Sequence, residues 1–218
     1  MRNILAFICI VVLTNGLIKP VPGIHEFSVA ADERFTQARD RTFQPFDLQT
    51  EQTWKDPFFF LQLADTQYGM FSGNKGVEQE AVLAQRVVEH INRLRPRFVI
   101  VCGDLTNATP GHARYQAQVK QYKQDFSKID ADIPLVCVCG NHDIGGRPTA
   151  ESIASYSDNF GDDYFSFWVG GVFNVVLNST VLKDPEGAPE VFAAQQAWLD
   201  VQLAEAHKAQ AKHIFLFL

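Results

Sequence analysis

Three short polar clusters stand out by position: Asp65-Thr66-Gln67, Gly103-Asp104 and Gly140-Asn141-His142-Asp143. Each closes a mostly apolar run of the kind that forms a buried strand. A carboxylate at such a place is costly to bury unless it is paired or binds a cation. Three such ends brought to one sheet edge would make an oxygen-rich pocket suited to hard or borderline metal ions. The glycines allow tight turns and close backbone approach. Taken singly, Gly-Asp after a strand is ordinarily a turn or a helix cap, and Asp65 could equally cap a loop. Gly-Asn-His-Asp is rarer, because it sets a histidine between polar residues directly after an apolar run. The three clusters in this order, on successive strands, go beyond turn chemistry.

The elements that must carry these clusters are legible in outline. Residues 58–64, 98–102 and 134–139 read as short buried strands. Between them, 79–94 places Val82, Val87, Val88, Ile91 and Leu94 on one helical stripe that Pro96 ends, and 113–129 looks helical. Two more strands, 164–169 and 172–177, flank Gly170-Gly171, which reads as a hairpin turn. A helix over 195–208 and a last strand over 213–218 follow. Strands alternating with helices predict an α/β layered fold, with sites at the carboxyl ends of the strands. In that pattern Phe165 and Trp168 belong to the core rather than to a substrate platform, and His112 belongs to the surface. Residues 24–56 read as an irregular lead-in, and 57–218 as the domain.

The chain has 218 residues, a formal net charge of −6 and 46% apolar residues, enough for one sizeable core. The mild acidity gives no basic footprint for nucleic acid. Four cysteines are too few for a disulfide scaffold. Cys137 and Cys139 are two apart on one strand, so they share a face, and with Cys102 they read as buried free thiols. Arg2 precedes an uninterrupted apolar run over 4–13, which polar Thr14 and Asn15 and then Gly16 follow. This is the pattern of a secretory signal, and the run is too short to span a bilayer. Residues 1–23 are therefore expected to be a signal-like segment and the protein to enter the secretory pathway. A buried strand, or a start upstream of a cytoplasmic domain, is the alternative.

The clusters resemble the calcineurin-like metallophosphoesterases, whose pattern is Asp-x-His, Gly-Asp, Gly-Asn-His-Asp/Glu, a lone histidine and Gly-His-x-His. Trp54-Lys55-Asp56-Pro57-Phe58, Leu63-Ala64-Asp65-Thr66-Gln67, Ile133-Pro134-Leu135-Val136, Gly140 to Gly145 and the run over 161–171 are similar to one subgroup, described as acting on phosphoserine and phosphothreonine of proteins. The resemblance implies a layered β-sandwich flanked by helices (αββα) and metal-assisted hydrolysis of a phosphorylated substrate, without a covalent intermediate. It implies two divalent ions, manganese, iron, zinc or magnesium. Asp65 and Gln67 would bind the first, Asp104 would bridge, Asn141 would bind the second, and His142 would protonate the leaving oxygen. Arg147, with its planar fork, is a candidate for the phosphate oxygens, and a solvated loop arginine is an equal reading. Gln67 replaces the family's usual histidine with a weaker, oxygen donor. Asn107 stands where some members place an acid that orients the histidine; an amide can hold the ring but offers it no charge, which Asp143 could supply.

The family's later ligands are expected just after the 213–218 strand and further on, so the resemblance covers the first two-thirds of a larger domain, incomplete at its C-terminus. An exposed sheet edge and apolar surface are then expected at the last strand. Two readings follow: a metal-dependent phosphoesterase, or a catalytically inactive short form acting as a binding or regulatory module. Substrate, metal identity and oligomeric state stay open at this level.

Overall fold

A computed structural model of the chain describes residues 35–46 and 48–218. The signal-like segment and Cys9 lie outside the described residues. The elements run α1 (Leu48–Glu51), β1 (Leu61–Ala64), α2 (Glu78–Leu94), β2 (Val99–Cys102), α3 (Tyr115–Phe126), β3 (Leu135–Val138), α4 (Asn141–Ile144), α5 (Ala150–Phe160), β4 (Phe165–Val169), β5 (Val172–Val176), α6 (Ser179–Lys183), α7 (Pro189–Lys208) and β6 (His213–Phe217).

Strand alternation builds four layers. The first sheet has the order β1-β2-β3, all parallel, with Val99 opposite both Leu61 and Leu135. On β2, Val99 and Val101 face a core shared with α2, α3 and α5. The alternate residues Phe98 and Ile100 face a second core against the other sheet. Along β3 and the residue after it, Cys137 and Cys139 take the helix side and Val136 and Val138 the sheet side. The second sheet has the order β4-β5-β6, with β4 and β5 antiparallel and β5 and β6 parallel. Phe165, Phe167 and Val169 close the inter-sheet core, while Trp168, Phe173 and Val175 turn outward beneath Trp198, Leu199 and Ala206 of α7. The result is the expected α/β layered sandwich of helices, sheet, sheet and helix. Phe165 and Trp168 are core residues, and the described cysteines form no disulfide with one another: Cys137 and Cys139 are buried as expected, while Cys102 is half-buried.

The 24–56 lead-in is more than irregular. Phe43 and Phe46 are buried in the inter-sheet core, and Phe35 packs in the helix-side core. Ala38 bridges Gly161 and Thr42 bridges Ser166. Arg41 pairs with buried Asp163 at 2.9 Å and lies 3.5 Å over the Tyr164 ring. These aromatics follow neither period of helix nor strand, so only tertiary packing reveals their burial. The helix expected from residue 195 starts at Pro189, since proline suits a first helical position, and Val201 and Leu203 lie exposed on it. Leu94 is exposed rather than part of the α2 stripe. β6 forms one edge of its sheet, with Ile214, Leu216 and Leu218 exposed. Among the described residues, no helix is long and apolar enough to cross a membrane.

Candidate active site

Because β1, β2 and β3 run parallel, the turns that leave their carboxyl ends meet at one edge. Main-chain bonds join the turns there. Asp65 N donates to Gly103 O at 3.1 Å, Gln67 N to Asp104 O at 2.8 Å, and Asn107 N to Tyr68 O at 3.1 Å. The third turn tightens into the single helical turn α4, where a loop is expected from sequence. Gly140 approaches Asp104 so closely that a Cβ there would overlap the Asp104 backbone nitrogen and Oδ1. Three of the expected metal ligands adopt left-handed backbone: Asp65 at φ 55°, Gln67 at 32° and Asp104 at 53°. Non-glycine residues are uncommon in that region, and such strain concentrates at functional sites.

Asp104 and His142 are joined directly. Asp104 Oδ1 accepts from His142 N at 2.8 Å. The ring nitrogen Nδ1 of His142 lies 2.9 Å from the Asn107 carbonyl oxygen. A carbonyl can only accept, so Nδ1 carries the proton and donates it, and Nε2 is left for exchange. Burial, the Asp104 charge and, in the opposite sense, His142 act on the Asp65 carboxyl, and the net effect pushes it above the usual carboxylate value. Asp65, Asp104 and His142 therefore share one electrostatic environment. Asn141 opens α4 next to His142 and is exposed.

Two expectations about the histidine need correction. Asn107 holds the ring with its backbone carbonyl, while its side-chain Nδ2 donates to Asn74 Oδ1 at 2.8 Å. Asp143 offers His142 no charge by contact. Its Oδ1 accepts from Leu105 N at 2.9 Å and Thr106 N at 3.3 Å, and its Oδ2 from Gly140 N at 2.9 Å. Fully buried, Asp143 ties the second and third turns together, and burial pushes its carboxyl up to about 7. Arg147 stands 87% exposed with Nε 3.5 Å from Asp184 Oδ2, as a solvated loop arginine does. His112 is exposed.

The site also draws on residues that carry no sequence signal. Asn74 Oδ1 receives Gln118 Nε2 at 2.9 Å as well as Asn107 Nδ2, and Gln118 Oε1 receives Ala108 N at 2.8 Å. Tyr68, fully buried, donates its hydroxyl to Asp125 Oδ2 at 3.1 Å.

The donor set expected from the sequence is made of oxygen: two carboxylates, Asp65 and Asp104, with the amides of Gln67 and Asn141. Among the described residues, no group of three or more His, Cys, Asp or Glu side chains is arranged to hold a metal ion. The Asp104 charge helps raise the Asp65 carboxyl above its ordinary value, and a pair of carboxylates so placed nonetheless suits a hard cation, whose charge offsets theirs.

A family model described as calcineurin-like phosphoesterase matches residues 58–204. The chain is 42% identical over 201 residues to serine/threonine-protein phosphatase CPPED1 of Mus musculus, a match covering 87% of this chain and 64% of that protein. It is 41% identical over 194 residues to the Homo sapiens protein of the same name, covering 84% and 62% respectively. The chain thus spans under two-thirds of the length of these relatives. Among solved structures, a dimetal phosphatase from Danio rerio aligns with a TM-score of 0.50 at 19% identity, covering 74% of this chain and 70% of that one. That likeness is one of fold.

Proposed function

The chain belongs to the calcineurin-like phosphoesterase family, and from that membership we propose that it hydrolyses phosphoesters with the aid of divalent metal ions, with phosphoserine and phosphothreonine of proteins as its substrate class. The observation that carries this reading is the meeting of Asp65, Asp104 and His142 at one sheet edge, with Asp104 bonded to the His142 backbone and the ring held in one tautomer. The substrate class draws its support from the mouse and human relatives, both named serine/threonine-protein phosphatases.

In this reading Asp65 and Gln67 would hold one ion, Asn141 would help hold a second, and Asp104 would contribute to both. The oxygen donors favour manganese or magnesium over the softer ions. When bound, such ions lower the pKa of a coordinated water and offset charge on the phosphoryl oxygens. The chain's own residues do the rest. Asp104 fixes the α4 turn from its N-terminal side, so the His142 main chain cannot drift from the carboxylates. The Asn107 carbonyl keeps the proton on Nδ1, so proton delivery to the leaving oxygen falls to Nε2 of the charged ring. Asp143 holds the turns that carry both groups.

Calorimetric titration with Mn²⁺, alongside a phosphoserine-peptide assay, tests the proposal on the 218-residue chain and on Asp104→Asn. Metal binding with turnover, both lost in Asp104→Asn, is the expected result. Turnover that survives Asp104→Asn overturns the metal assignment, and metal binding without turnover in the parent chain overturns the hydrolase in favour of a binding module.

A further inference from the structure

Resting on the reading of His142 as the proton donor, we propose that Asn74 and Gln118 position its ring, acting through the Asn107 peptide. Neither residue belongs to the three clusters, and neither contacts His142. Their effect is on the carbonyl that does.

Asn107 is held on four sides. Its N–H donates to Tyr68 O at 3.1 Å. Its side-chain Nδ2 donates to Asn74 Oδ1 at 2.8 Å. The following N–H, of Ala108, donates to Gln118 Oε1 at 2.8 Å. Its carbonyl receives His142 Nδ1 at 2.9 Å. Gln118 is only 2% exposed on α3, and its Nε2 closes the ring of contacts by donating to Asn74 Oδ1 at 2.9 Å. A peptide plane cannot rotate its carbonyl without moving the N–H of the next residue. Gln118, by holding Ala108 N, therefore fixes the direction in which the Asn107 carbonyl points. Asn74 fixes the side chain of the same residue and orients the Gln118 amide.

The loop is shaped to permit this. Asn74 adopts φ 67°, a conformation asparagine tolerates better than most residues, and Asn74 N bonds Gly69 O at 2.8 Å. Gly69 sits at φ 100°, and a Cβ there would overlap Gln118 Nε2 and stand 3.1 Å from Asn74 Oδ1. The glycine thus leaves room for the amide pair. A buried glutamine whose oxygen bonds the loop after β2 and whose nitrogen bonds the loop after β1 is a costly arrangement to leave half-satisfied.

Asn74 uses only its oxygen toward Asn107 and Gln118, which gives a discriminating set of variants. Asn74→Gly keeps the left-handed backbone and removes both contacts. Asn74→Asp keeps an acceptor in the same place. Gln118→Met removes the other arm at similar length. The first readout needs neither metal nor substrate: the imidazole tautomer of His142 in the ¹⁵N-histidine-labelled chain at about pH 8.5, above the ordinary histidine range, with His142→Gln assigning the signal. The parent chain and Asn74→Asp are expected to hold the Nδ1–H form. Asn74→Gly and Gln118→Met are expected to show a mixture of tautomers.

The second readout is turnover with Mn²⁺ on a phosphoserine peptide and on p-nitrophenyl phosphate. The alkoxide leaving group needs a proton and the nitrophenolate does not. A misplaced donor should therefore slow the peptide by about tenfold or more while the aryl ester stays within about twofold. Asn74→Asp should restore the peptide rate. Parent-like tautomer in both Asn74→Gly and Gln118→Met, or equal losses on the two substrates, overturns the proposal. If the parent chain turns over neither substrate, the hydrolase reading falls on that result, and the tautomer still decides the positioning role.

Discussion

Replacing Gly140 by alanine tests whether the contact between two turns, rather than side-chain identity alone, sets the site. Gly140 sits at φ −108°, ψ 178°, extended backbone open to any residue, so alanine meets no torsional obstacle. The obstacle is steric. The new Cβ would overlap Asp104 N and Oδ1 and stand 2.9 Å from the Gly103 carbonyl carbon, where ordinary contact begins at 3.4 Å. The Gly103 carbon must retreat by about 0.5 Å and the Asp104 nitrogen by more. Asp104 cannot move alone, because its Oδ1 accepts from His142 N and its carbonyl from Gln67 N, each at 2.8 Å. Overpacking of this kind costs about 1–3 kcal/mol. At about 2 kcal/mol, a chain of this length loses about 4–8 °C of Tm. Displacing a catalytic group by about 1 Å costs on the order of a hundredfold in rate, so turnover should fall far more than stability. Gly146→Ala is the control, because a Cβ at Gly146 has nothing within 4 Å; its effect should stay within about 0.5 kcal/mol. Thermal unfolding by circular dichroism and phosphopeptide turnover with Mn²⁺ read both variants. Parent-like Tm and rate in Gly140→Ala, or indistinguishable behaviour of the two variants, refutes the reasoning.

His142→Gln should lower turnover by about a hundredfold or more while metal content, read by mass spectrometry of the bound metal, persists; loss of metal would make His142 a ligand rather than a proton donor. For Asp143, burial pushes the folded-state carboxyl up to about 7 from an ordinary 3.8, so the folded chain holds its proton across that window. The associated stability is complete below about 3.8 and lost as pH rises through about 7, so in metal-free buffer the advantage of the parent over Asp143→Asn should shrink across that range by a few kcal/mol. A pH-independent difference in urea unfolding would refute it. For residues 1–23, mass spectrometry of the protein from its native source should find the segment removed, and an intact or acetylated Met1 would sink the secretory reading.

The layers of the fold are legible because strands β1 to β4 are short, mostly apolar and soon stopped by a glycine or an acid. Phe98 to Cys102 and Pro134 to Cys139 announce themselves without tertiary information, and Gly170-Gly171 marks the hairpin that joins β4 to β5. What escaped were elements whose burial has no period. Phe35, Phe43 and Phe46 sit in a polar stretch, yet Phe46 stacks on Phe167 with ring centroids 5.6 Å apart. The short helix α6 escaped for another reason. Its start rests on Asn178, whose side chain caps Val181 N at 3.1 Å while its Nδ2 reaches Asp163 at 2.9 Å. A capping asparagine is common in loops, so its burial partner, not its identity, decides the outcome.

The site divides in the same way. The residues proposed to meet a ligand are readable, because a carboxylate at a strand end is costly to bury unpaired. The residues that aim them are not, since aiming is done here largely by the main chain. The Asn107 carbonyl, not its side chain, holds the His142 ring, and the Asp143 carboxylate spends itself on three backbone N–H groups. A substitution at 107 therefore leaves the ring's acceptor in place provided the peptide keeps its orientation. That proviso transfers the burden to whatever holds the peptide, which is the amide pair of Asn74 and Gln118. It follows that Asn107→Ala, which gives up only the Nδ2 bond to Asn74 Oδ1 and leaves Gln118 holding Ala108 N, should disturb the His142 tautomer less than Asn74→Gly, although Asn107 is the nearer residue in sequence and in space.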